Sequence, residues 1–98
     1  MELYVIRRRG AWASDDEAAA AAEESARVGE GMQDRLRWIR SYAVTEEDGR
    51  IGSVCIYEAS DVDAIREHGE RIGAPGDDVR PVRGTTVQRP DPLPAGTG

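Results

Sequence analysis

The chain holds one cysteine, one histidine and no phenylalanine, and each shortage excludes something. A single cysteine cannot form an intramolecular disulfide, so a reducing cytoplasm is the expected setting. Without a CxxC pair there is no sequence case for a structural zinc centre. A Gly-rich phosphate loop, a paired-acid motif and a Ser-His-Asp signature are likewise missing. No apolar run approaches the length of a membrane span. The N-terminal MELYVIRRRG carries its charges after a short apolar run, the reverse of a secretory leader. Basic residues are also outnumbered by acidic ones, 13 to 19. The formal net charge of −6 argues against a nucleic-acid binder, whose footprint is normally a basic patch. Arg7, Arg8 and Arg9 follow ELYVI and read as the end of a strand rather than as a phosphate clamp.

Ninety-eight residues suit one small domain. About 39% are hydrophobic, but much of that is alanine in one segment. A chain this short buries a modest share of its surface, so its core is thin and self-association would cover more of it.

ELYVIRRR reads as a first strand, from its β-branched and aromatic content. Ser14-Asp15-Asp16-Glu17 has the spacing of a capping box and opens an alanine-rich helix to about Val28, with Gly29 and Gly31 ending it. RLRWIRSYAV and IGSVCIY form two strands joined by a turn at Asp48-Gly49. A second helix begins after Ser60, with Asp63 three residues on, and stops at Gly73-Ala74-Pro75. DVRPVRGTTVQ reads as a last strand, and Pro81 favours an edge position for it. The order is β-α-β-β-α-β. It predicts a ferredoxin-like α+β fold, a four-stranded antiparallel sheet with both helices on one face. Residues 1–88 would form this domain. Residues 89–98, rich in proline and glycine with Leu93 as the one large apolar residue, read as a flexible tail.

Alternation along the strands assigns faces. Arginine is rarely buried unpaired, so Trp38, Arg40 and Tyr42 are expected to face away from the helices, and Ser41 and Ala43 toward them. Val54 and Ile56 read as core, which sets Ser53, Cys55 and Tyr57 on the open face. Trp38, Arg40, Tyr42, Cys55 and Tyr57 would then line a ligand pocket there, at a homodimer interface that buries the exposed rings.

Helical spacing places His68 on the rim of a stripe of Val62, Ile65 and Ile72. A histidine there is more often a half-buried, hydrogen-bonded side chain than a ligand. Cys55 is expected on the opposite face of the sheet, as a small hydrophobe. Glu58 and Asp61 flank the start of the second helix. They suit its N-terminal dipole, and they also complete an oxygen and nitrogen donor set with His68.

RWIRSYAVTEEDGRIGSVCIYEASDVDAIREHGERIGAPGDDVRPV resembles the domain-of-unknown-function 4242 family of small bacterial proteins. The pattern rests on Trp38, Ser41 and Tyr42, then Cys55 and Tyr57 to Ala59, then Asp61, Ala64 to His68, Gly73 and Pro75. Ser60 and Gly69 stand where that pattern usually has proline and alanine. The resemblance implies a ferredoxin-like dimer and, for a described member, nickel binding. Nickel or another divalent transition metal is therefore the expected cofactor, with His68, Glu58 and Asp61 as its ligands, and no organic cofactor is indicated. A second expectation comes from other small ferredoxin-like dimers. These include cofactor-independent oxygenases, isomerases and cyclases, in which Arg40, Tyr42, Tyr57 and Glu58 would orient or protonate an organic substrate. A third is a regulatory dimer without chemistry.

Overall fold

The structure, a computed structural model, describes residues 1–92. Six elements follow in the expected order. They are β1 (Glu2–Trp12), α1 (Asp15–Glu30), β2 (Leu36–Thr45), β3 (Ile51–Ala59), α2 (Val62–Arg71) and β4 (Asp78–Pro81). The strands form one sheet in the order β2-β3-β1-β4, with every pairing antiparallel. This is the ferredoxin-like split βαβ arrangement. Among the described residues, no helix is long and apolar enough to cross a membrane.

Local chemistry explains most boundaries. Ser14 caps α1 by accepting from the Glu17 N–H at 3.2 Å, and Glu17 reaches back to the Ala13 N–H at 2.7 Å. Both orphan donors are thereby satisfied. The helix continues through Gly29 to Glu30 and is capped at Gly31, the second of the two glycines expected to end it. Asp61, not Ser60, caps α2, accepting from Ala64 N–H at 2.9 Å. The β2–β3 turn uses Gly49 at φ 87°, a left-handed conformation that favours glycine. β4 is an edge strand, as Pro81 suggested, but its ladder ends at that residue.

The segment after β4 does not continue as a strand. Val82 N–H bonds the Leu3 carbonyl at 2.9 Å, and residues 85–91 then cross the sheet face opposite the helices. Asp91 accepts from Arg40 at 3.0 Å and from the Tyr42 hydroxyl at 2.5 Å. Of the expected tail 89–98, residues 93–98 lie outside the described residues.

The face assignment needs correction in two places. Tyr4, Ile6, Cys55, Tyr57, Ala59, Ala64 and Ile65 form the core together with Met32 and Leu36. Cys55 and Tyr57 therefore face the helices, while Val54 and Ile56 are half-buried on the other side. Volume and hydrophobicity favoured valine and isoleucine for the interior. The pairing of Tyr57 with Tyr4 and of Cys55 with Ile6 decides otherwise. The second correction is Trp38. It pairs with Tyr57, but Arg40 pairs with Ile56, so the register shifts around Ile39. One extra residue there reverses the alternation. Trp38 consequently joins Ser41 and Ala43 on the helix side, and Arg40 and Tyr42 alone keep the open face.

Candidate functional site

The five residues expected to share one pocket are split between two faces. Arg40 and Tyr42 lie against the returning segment through Asp91. Trp38, Cys55 and Tyr57 line a cavity of about 90 Å³ between the sheet and α1. Trp38 stacks on Tyr57 with ring centroids 6.0 Å apart and an interplanar angle of 4°. Its indole N–H donates to Ser41 Oγ at 2.6 Å. Trp38 is still 36% exposed, so the cavity opens past it at the β2 edge.

Arg8 occupies the same cavity. Its position in β1 follows Tyr4 and Ile6 at the period of two, which turns it inward, and it is 5% exposed. Nε donates to the Ala74 carbonyl at 2.6 Å, and Nη1 to Cys55 Sγ at 3.6 Å. Cys55 in turn lies 3.5 Å from Ser53 Oγ. The sequence reading passed over Arg8 as a strand end. The available signal was its parity, since a charge in phase with two core residues must be buried or break the strand.

His68 is not on a rim. It is 2% exposed, at the contact of α2 with α1. Ser25 and Gly29 of α1 lie against the ring, and a Cβ at Gly29 would make an ordinary contact of 3.9 Å with the imidazole Nε2. That nitrogen bonds the Ser25 carbonyl at 3.0 Å. A carbonyl only accepts, so Nε2 carries the proton. Burial holds the His68 pKa below its ordinary 6.5, and Arg8 and Arg71 push the same way, against the Ser25 bond. The Tyr57 ring lies 5.4 Å away. Its hydroxyl pKa is raised, chiefly by burial. Cys55 and His68, expected on opposite sides of the sheet, thus face the same interior with Tyr57 between them in the strand order.

The expected metal donors are not brought together within the chain. Glu58 lies on the open face and pairs with Arg37 at 3.1 Å. Asp61 is engaged as the α2 cap. Glu2 and Asp61 both act on the Tyr4 hydroxyl, whose pKa rises through burial first and these two charges after it. Among the described residues, no three His, Cys, Asp or Glu side chains are grouped to hold a metal ion. A nickel ion therefore does not fit the donors that a single chain gathers.

Comparison with known proteins places this geometry. The family described as "Nickel responsive protein SCO4226-like" matches residues 4–82. No curated protein matches the chain. A solved structure, described as the crystal structure analysis of SCO4226 from Streptomyces coelicolor A3(2), aligns with a TM-score of 0.71 and 18% identity. The alignment covers 86% of this chain and 99% of that one. At that identity the likeness speaks for the fold alone.

Proposed function

The chain belongs to the SCO4226-like family of nickel-responsive proteins, and on that premise we propose that it is a small metal-responsive protein. In this reading it binds nickel or another divalent transition metal as a homodimer. The observation that carries the reading is the family match across residues 4–82, nearly the whole folded domain.

The donor count shapes it. Transition ions of this class take imidazole, carboxylate or thiolate groups, and a single subunit groups too few of them. Donors from a second copy are therefore part of the proposal. Asp61 remains the most accessible of the expected ligands, being exposed with its cap bond made through one oxygen only. His68 would take part only if α1 and α2 separated, because its Nε2 proton is committed to Ser25. The exposed Ile39 and Tyr42, with Val87 from the returning segment, give a second copy an apolar face to cover.

Untagged protein, purified and then equilibrated with nickel or zinc, tests this by elemental analysis and light scattering together. The expected result is bound metal at less than one ion per chain, on a particle with the mass of two chains. A metal-free monomer after nickel addition would overturn the reading.

A further inference from the structure

We propose that the cavity beneath α1 is a binding site for a small monoanionic carboxylate, held by Arg8. This goes beyond the metal reading, uses none of its residues and needs no metal.

Arg8 lacks a counter-ion among the described residues. Its neighbours in β1 each have a carboxylate, Glu46 at 2.7 Å from Arg7 and Asp78 at 3.6 Å from Arg9. Arg8 is the most buried of the three, yet no carboxylate among the described residues lies within ion-pair distance of it. Two of its N–H groups go to a carbonyl and to a sulfur. No buried side-chain nitrogen in the described fold is sealed off without a partner. Nη2, which makes no bond there, therefore keeps accessible surface, and Arg8 is a lining residue of the cavity. A buried charge with neither counter-ion nor full hydrogen bonding is costly, and an anion in the cavity removes that cost.

The remaining walls narrow the class. Trp12, Trp38 and Tyr57 supply aromatic surface, and Ser53 and Cys55 supply weak polar groups beside the guanidinium. Among the described residues, no second cation lines the space. A single positive charge suits a monoanion, whereas a phosphate dianion would bring a charge that nothing there compensates. The planar carboxylate also matches the fork of N–H donors. A free volume of about 90 Å³ limits the body to a few heavy atoms.

Trp12 and Trp38 are the only tryptophans of the chain, and both line the cavity, so occupancy reads out directly in intrinsic fluorescence. Metal-free full-length protein is titrated with propionate and pyruvate, with propionamide as the neutral counterpart and inorganic phosphate as the dianion. The carboxylates should give a saturable change, with propionamide at least about tenfold weaker, the scale of one charge-assisted hydrogen bond. Arg8→Met should abolish the change. Because Arg8→Met risks misfolding, Ala21→Leu provides a second arm. It fills the cavity from α1 with a good helix former and should also abolish binding. Equal affinity for propionamide, tighter binding of phosphate, no saturation with either carboxylate, or unchanged binding in Ala21→Leu would each overturn the proposal. None of these outcomes bears on whether the protein binds nickel.

Discussion

His68 of α2 donates its Nε2–H to the Ser25 carbonyl of α1 across 3.0 Å, and this bond ties the two helices together over the sheet. The groups facing the ring are Arg8 from β1, Tyr57 from β3 and Arg71 from its own helix. Burial first, and the Arg8 and Arg71 charges with it, disfavour a charged imidazole and outweigh the Ser25 bond. The folded protein therefore keeps His68 neutral at a pH where the unfolded chain already binds a proton. Stability should fall as pH drops below the unfolded value of about 6.5, and continue to fall until the lower folded value is passed. His68→Gln keeps an N–H donor but cannot titrate. Denaturant curves at stepped pH should show a shallower acid loss in the variant than in the parent. Identical slopes would mean that His68 is not the titrating group.

Glu46 adds a second acid-sensitive tie. It accepts from Arg7 at 2.7 Å and from the Gly10 N–H at 2.8 Å, and these two bonds hold its pKa below the usual carboxylate value, the Arg7 bond most strongly. Its stabilisation is present above the unfolded pKa and is lost as pH falls through the folded one. Glu46→Gln in the His68→Gln background should flatten the remaining acid limb further. An unchanged limb would place the sensitivity elsewhere.

Gly52 lies beneath that carboxylate. A Cβ there would stand 2.5 Å from the Arg8 carbonyl oxygen and 2.8 Å from Arg7 Nη1. The carbonyl belongs to a paired strand and cannot retreat. Gly52→Ala should cost about 1–3 kcal/mol, the usual range for overpacking, read from the chemical denaturation midpoint. Gly49→Ala meets no atom within 4 Å and tests backbone strain alone, through its φ of 87°.

Deleting residues 89–98 removes Asp91 from Arg40 and Tyr42. All three side chains are exposed, so the thermal midpoint should barely move. The deletion also uncovers the apolar face that holds Ile39 and Tyr42. Light scattering should then show stronger self-association than in the full chain. A large drop in the midpoint would instead assign the segment a structural role.

Cys55 is buried at the floor of a cavity too small for an aromatic disulfide reagent. Ellman's reagent should react slowly with the native protein and fast after denaturation. Rapid native labelling would mean that the cavity opens much wider in solution.

Several features were legible one segment at a time. The Ser14–Glu17 capping box, the Asp48-Gly49 turn and the edge position of Pro81 each depend on residues within a few positions of one another. Such short-range chemistry is written directly in sequence. Together they determined the element order, and that order predicts the ferredoxin-like fold. What the sequence did not determine is which face of each strand lies under the helices. Alternation is local, but its phase is set by cross-strand pairing. Ile39 carries no mark that it would be the extra residue turning Trp38 inward. Cys55 and Tyr57 are core because Ile6 and Tyr4 are paired with them, a relation spanning some fifty residues. The same holds for Arg8 and His68. A charge and an imidazole that look solvent-bound in sequence are buried because distant segments, Ala74 and Ser25, offer them carbonyl oxygens. Only the tertiary structure brings those acceptors within reach.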